Sequence, residues 1–290
     1  MIKLTTEVSV PECGISVKVG DRILLLGSCF SDEIGRRMQD GGFGVCRNPF
    51  GTLYNPLSVL SALRRLAGGK PFGEDDCVRM GAGANLVCSF EHHTSFARKD
   101  AAEFLENANA EFAQAVAFWK NCNKVIITLG TACVWERETA PREWRAVSNC
   151  LKRPAAEFRH RMLGIDECAA AIEAIIAECG QRDIIFTVSP IRHPGENGAH
   201  GNQLSKATLL LALDKVLARH REHCAYFPAY EILLDELRDY RFYAEDLLHP
   251  SSTAEDIIWE RFIAAFDRAE AELIAENEKA ARRLAHRPIH

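Results

Sequence analysis

No stretch of the 290-residue sequence is apolar for long enough to span a bilayer. The opening residues Met1-Ile-Lys-Leu-Thr-Thr-Glu7 also lack the continuous apolar core of a secretory signal. Positive charge is in short supply: 35 Lys and Arg stand against 40 Asp and Glu, for a net charge of −5. That balance provides no electrostatic footprint for nucleic acid or an anionic membrane surface. The eleven cysteines contain no C-x-x-C pair, so neither a zinc site nor a dithiol redox centre is spelled out and no metal is expected. The glycine at position 27 does not open a G-x-G-x-x-G, which argues against a dinucleotide, and no other cofactor is called for. These absences point to a cytoplasmic protein acting on a small molecule. Its cysteines read mostly as small buried apolar residues in reducing surroundings.

Apolar residues are plentiful, at 47% of the chain, enough for one large domain. Ile23–Leu26, Lys124–Gly130 and Asp183–Ser189 read as strands buried on both faces, and Phe43–Cys46 and Ala225–Phe227 as shorter ones. Helical periodicity separates them, as in Phe104, Ala108, Phe112, Val116 and Trp119. Such alternation predicts a mainly parallel sheet covered by helices on both faces, a three-layer α/β/α domain over residues 1–290. Residues 68–100 suggest a small inserted β-hairpin. Thr131–Gly164, with Trp135, Trp144, Asn149 and Arg153, reads as a long ordered loop, and residues 253–285 as one long C-terminal helix carrying Ile258, Phe262, Phe266, Ala269 and Leu273 on its buried side.

Ser28 stands where the first apolar run ends at Gly27 and a helix begins, with Asp32 and Glu33 near the helix's positive end. Ligands of open α/β sheets bind in that crevice. A serine there either caps the helix or attacks substrate, and attack requires a base that is itself oriented. Asp246-Leu-Leu-His249 supplies both within one turn: His249 as the base, and Asp246 on its other ring nitrogen. Cys29, next to Ser28, is an alternative thiol nucleophile, although its side chain points away from its neighbour's and a buried cysteine is the commoner fate. Glu91-His92-His93 has a metal-like look, but adjacent histidines on a strand face opposite ways and no third ligand is spaced to join them. His92 and His93 are better read as packing or substrate contacts. Arg192 and His193 follow the third buried strand, at the end of the sheet where substrate would lie.

Five segments carry a wider resemblance: Gly27-Ser-Cys-Phe30, Arg47-Asn-Pro-Phe-Gly-Thr-Leu-Tyr-Asn-Pro56, Ile127-Thr-Leu-Gly-Thr-Ala132, Gly201-Asn-Gln-Leu-Ser-Lys206 and Asp239-Tyr-Arg-Phe-Tyr-Ala-Glu-Asp-Leu-Leu-His-Pro-Ser251. Together they resemble the GSCFA family, which is grouped by similarity with the SGNH (GDSL-like) hydrolases. The resemblance runs from Val19 to about Phe266 and implies a flavodoxin-like SGNH fold and serine-esterase chemistry, with Ser28, His249 and Asp246 as the triad. The implied substrate is an O-acyl, in particular O-acetyl, ester of a carbohydrate or similar small molecule. Trp135, Trp144 and Tyr54 are candidate aromatic contacts to a sugar, and Asn48, His92, His93, Asn149, Arg192 and His193 are candidate substrate-binding residues.

Two departures from the SGNH pattern stand out. The usual G-D-S falls on Leu26-Gly27-Ser28, without the aspartate. G-x-N-D falls on Gly130-Thr-Ala-Cys133, so the asparagine that donates to the oxyanion is replaced by Ala132. Loss of one such donor costs roughly 3 to 4 kcal/mol of transition-state stabilisation. The expected oxyanion hole therefore combines backbone N–H groups of Ser28 or Cys29 and of Gly51 with a side chain near Thr131; Thr131, Asn48 and Asn149 are the candidate replacements. Transfer of the acyl group to an alcohol, and binding of an acylated glycan without turnover, are alternative uses of the same pocket.

Overall fold

A computed structural model describes residues 5–81, 83–195 and 198–285. Along the chain, β1 (Arg22–Gly27) leads into α1 (Cys29–Asp40) and β2 (Gly44–Arg47), followed by α2 (Pro56–Gly68). A small hairpin, β3 (Val78–Arg79) and β4 (Val87–Cys88), precedes α3 (Ala101–Trp119) and β5 (Lys124–Leu129). Next come β6 (Cys133–Ala140), β7 (Glu143–Val147) and β8 (Phe158–Met162), then α4 (Ile165–Cys179), β9 (Asp183–Val188), α5 (Gly198–Leu217) and β10 (Cys224–Phe227). The single turn α6 (Ala229–Glu231) runs into a π-helical stretch, Ile232–Leu237, and α7 (Ser252–Phe266) and α8 (Ala271–Ala285) complete the described chain.

The apolar runs form the centre of a five-stranded sheet in the order β10-β9-β5-β1-β2, in which every pairing is parallel. Strand periodicity splits each run between two cores. Leu24, Leu26, Val125, Ile127, Ile184 and Phe186 pack with Leu63, Phe104, Ile172 and Leu209 from α2, α3, α4 and α5. On the opposite face, Ile23, Leu25, Ile126 and Ile185 pack with Phe30, Ile34 and Met38 of α1, Ile258 and Phe262 of α7, and Ile274 of α8. The result is the three-layer α/β/α architecture, and each fully buried Leu or Ile contributes about 1.5–3 kcal/mol to it. The order of succession reverses between β1 and β5, so their carboxyl ends flank the topological switch point.

Two elements differ from their sequence expectation. Thr131–Gly164 is not an irregular loop: β7, β6 and β8 form a three-stranded antiparallel sheet standing beside the main one. Its alternation is hidden because the buried position Glu136 is a carboxylate. Glu136 is 4% exposed and is neutralised by Arg159 at 2.6 Å and Arg161 at 3.0 Å from the neighbouring strand. The expected single helix over 253–285 is broken at Asp267, whose φ of −145° and ψ of 35° end α7. Beyond the break, the Asn277 amide donates to the Gly41 carbonyl at 2.8 Å and Trp259 Nε1 donates to Glu278 at 2.7 Å. These bonds fold α8 back onto α1 and α7. No described helix is long and apolar enough to cross a membrane, and all eleven cysteines are free thiols.

Candidate active site

At the switch point the backbones of β1 and β5 come unusually close. Gly27 has φ +146°, and a Cβ there would sit 2.1 Å from the Thr128 carbonyl oxygen, so only glycine fits. The next N–H, that of Ser28, donates to the same oxygen at 3.1 Å. Ser28 is then the N-cap of α1: its Oγ accepts from Phe30 N–H at 3.3 Å. The side chain is 0% exposed, and its hydroxyl donates to Ser189 Oγ, 3.0 Å away at the end of β9.

Below it lies a buried polar layer. Ser31 Oγ donates to Thr128 Oγ1 at 2.8 Å. The fully buried Lys206 Nζ, on α5, donates to the carbonyls of Gly130 and Ser189, both at 2.7 Å. Burial pushes the Lys206 ammonium down to about 7. Ser28 is part of this scaffold, and it makes no hydrogen bond to His249.

Cys29, the first residue of α1, projects the other way. Its sulfur is 3.5 Å from His249 Nε2. His249 Nδ1 is in turn 2.6 Å from Asp246 Oδ2, as the D-x-x-H spacing implies. The turn is rigid although exposed. Leu247 adopts φ +59°, Asp246 Oδ1 accepts from the N–H groups of Leu248 at 2.9 Å and His249 at 3.0 Å, and Leu248 O accepts from Arg192 N–H at 3.1 Å. Those two amides and the His249 ring hold the Asp246 carboxyl down to about 2, so it stays ionised. At Cys29, burial raises the thiol above its ordinary pKa, and Asp32 adds to the rise. The N–H groups of Cys29 and Phe30 and the charge of Lys206 work against it. The resting sulfur is therefore a protonated thiol beside a base.

The structure places the expected nucleophile, Ser28, against Ser189 and the alternative, Cys29, beside His249. Ser28 is fully buried, while Cys29 lines a cavity of about 640 Å³. Tyr54, Thr131, His193 and His249 share its wall, and the three-stranded sheet contributes Trp135, packed at a tilt of 30° against His160 with ring centroids 4.5 Å apart. Trp144 is held under Arg159, 4.5 Å from its ring, and does not line the cavity.

The remaining expected residues divide. Arg192 and His193 line the cavity. Arg192 lies over the Tyr243 ring at 4.3 Å and braces the His249 turn. Burial pushes His193 down to about 3, so its imidazole is neutral, and its Nε2 has no partner. His92 is instead a core residue, 0% exposed among Phe50, Phe72, Phe96 and Phe104 and bonded to Ser89 Oγ at 2.7 Å. His93 caps the next turn through Ser95 and packs over Gly51.

Asn48 is structural: it accepts from Gly27 N–H at 2.9 Å and donates to Asp32 at 2.9 Å. Asn149 braces the His92 carbonyl and accepts from Leu151 N–H at 2.8 Å. The Gly51 N–H is bonded to Asn48 O at 2.7 Å, and Thr131 Oγ1 is engaged by Ser205 at 2.8 Å and by Cys133 N–H at 3.0 Å. Of the expected oxyanion donors, the Cys29 amide stays well placed, because the first N–H groups of a helix have no intrahelical acceptor.

Sequence reasoning did not single out Lys206, Ser189 or Ser205. The signal for two of them was present: Asn202, Ser205, Lys206 and Leu209 share one buried face of α5, an unusually polar set for a core stripe.

The model of the GSCFA family matches residues 22–262. Among curated proteins none matches the chain. One similar solved structure is a carbohydrate esterase family 2 enzyme plus carbohydrate binding domain from Corynascus thermopiles (Myceliophthora fergusii). It is 11% identical, with 89% of this chain and 68% of that chain covered, at a TM-score of 0.36.

Proposed function

The chain belongs to the GSCFA family, and from that premise we propose that it is a cysteine-dependent acyl-ester hydrolase in which Cys29 is the nucleophile, His249 the general base and Asp246 its orienting carboxylate. The single observation carrying this reading is the aligned contact series: Cys29 Sγ 3.5 Å from His249 Nε2, and His249 Nδ1 2.6 Å from Asp246 Oδ2. It matches the nucleophile, base and orienter logic of acyl transfer.

In the first half-reaction the Cys29 thiol proton passes to His249 Nε2 as sulfur bonds to the ester carbonyl carbon. The carbonyl π pair moves onto oxygen, where the Cys29 N–H receives it. Collapse of the adduct breaks the carbon–oxygen bond to the leaving alcohol, which takes the proton back from His249 and leaves a thioester. Water then attacks with His249 again as base, releasing the acid and restoring the thiol. Because the thiol is raised above its ordinary range, the proton moves during attack, and a preformed thiolate–imidazolium pair is not required. A small O-acyl ester, in particular an acetyl ester presented on a ring that stacks on Trp135, suits the cavity.

The test uses a chromogenic acetyl ester with mass spectrometry of the trapped enzyme. An acetyl adduct on Cys29, lost in Cys29→Ala and retained in Ser28→Ala, is the expected result. Turnover that survives Cys29→Ala overturns the proposal. Retention of the ester without turnover by the wild-type protein favours a binding role instead.

A further inference from the structure

Any acyl transfer at Cys29 must stabilise an oxyanion, and the asparagine of the G-x-N-D pattern is Ala132, which is buried, has no side-chain donor and gives its N–H to Ser205 Oγ at 2.7 Å. The side chains of Asn48, Asn149 and Thr131 are committed to partners in the fold, as is the Gly51 amide. The Tyr54 hydroxyl, on the cavity wall, still has a proton to donate. Thr52 Oγ1 donates to Tyr54 Oη at 3.1 Å, which leaves the phenolic proton of Tyr54 free to be given elsewhere.

The position of Tyr54 is fixed by three contacts. Its carbonyl accepts from Gly130 N–H at 2.8 Å and from Thr131 N–H at 2.9 Å, so it is tied to the first residues after β5, the strand end that carries G-x-N-D. The His193 ring meets the Tyr54 ring edge-on at 5.2 Å. Gly130 makes that approach possible. A Cβ there would lie 3.2 Å from Tyr54 O, 3.3 Å from Tyr54 Cδ1 and 3.1 Å from His193 Nε2.

We infer that the Tyr54 hydroxyl is the side-chain donor to the oxyanion, standing in for the amide absent at position 132 and acting with the Cys29 N–H. This rests on the proposed Cys29 chemistry. The donation moves no proton: the O–H stays on tyrosine and its hydrogen bond shortens as charge builds on the carbonyl oxygen. Burial, with Cys29 and Asp32 adding to it, holds the phenol above its ordinary pKa, so it keeps its proton throughout the neutral range.

Tyr54→Phe preserves the ring and its packing on His193 and removes only the donor. Two rates at Cys29 are compared: acylation by p-nitrophenyl acetate, which passes through an oxyanion, and alkylation by iodoacetamide, a displacement at saturated carbon that does not. The expected result is acylation slowed by about 100- to 1000-fold, as for removal of one oxyanion donor, with KM nearly unchanged and alkylation as in wild type. Thr52→Val leaves the phenol in place and is expected to slow acylation by no more than about tenfold, far less than loss of the donor itself.

Equal acylation in wild type and Tyr54→Phe overturns the inference and leaves the Cys29 reading standing. A parallel fall in both rates assigns Tyr54 to packing and overturns it as well. Absence of acylation in the wild type, with alkylation intact, overturns the Cys29 reading itself.

Discussion

The buried polar layer beneath the cavity and the exposed turn above it hold their groups in place by opposite means. Ser28, Ser189 and Lys206 are fixed because every polar atom must find a partner where water is excluded. Asp246 and His249 are about half exposed, at 47% and 48% of their side chains, and are fixed by two backbone amides and a left-handed Leu247. Cys29 lies on the boundary, its backbone in the layer and its sulfur under the turn. Substitutions in the layer should therefore register first as stability, and substitutions in the turn as rate.

The sharpest break in that contrast lies between two adjacent residues. Cys29→Ala is expected to abolish ester turnover, a loss of at least about 10⁴-fold, with little change in urea midpoint; Ser28→Ala should do nearly the reverse, as considered last. Asp246→Asn comes next. It leaves the turn's shape but favours the wrong imidazole tautomer, so kcat should fall by up to about 10⁴-fold while thermal midpoint barely moves. A stability loss as large as the layer variants show would place Asp246 with the scaffold.

Lys206→Met tests the layer. Two buried carbonyls lose their donor, and destabilisation of about 2–3 kcal/mol is expected from denaturant curves. Lys206 has its folded pKa, about 7, below its ordinary value. The unfolded chain therefore binds the extra proton between pH 7 and the ordinary lysine range, and Lys206 makes stability rise with pH across that window. The burial penalty is complete below about pH 7. Comparing wild type with Lys206→Met at pH 7 and pH 9 isolates the effect; a gap that narrows with rising pH contradicts it. The smallest change expected is in Ser28→Ala, which loses the α1 cap for about 1 kcal/mol and keeps most of its turnover.

The same division explains what was legible from residues alone. Strands β1, β5 and β9 are mostly apolar runs because both faces are buried, and that pattern marked them as strands. Asp246 and His249 were readable because their relation is local, one turn of backbone. Which of Ser28 and Cys29 faces His249 was not, since two adjacent side chains at one strand-to-helix turn differ only in which side of it is buried. The sheet of β6, β7 and β8 was hidden by Glu136, whose burial depends on two arginines more than twenty residues away. Tyr54 drew notice only as an aromatic contact, since its neighbours Thr52, Gly130 and His193 meet it through the fold.

The break at Asp267 has a bearing on the order in which the fold can assemble. The Phe266 carbonyl at that break accepts from Val17 N–H at 2.8 Å, and Glu270 accepts from Val19 N–H across a separation of 251 residues. Val17 and Val19, ahead of β1, therefore lack these partners until α7 and the turn after it have formed. Cys29 and His249, 220 residues apart, are in the same position. Contacts of such span close late and slowly. During synthesis the Cys29 thiol emerges long before His249, so the pairing of sulfur and imidazole exists only once the fold has closed.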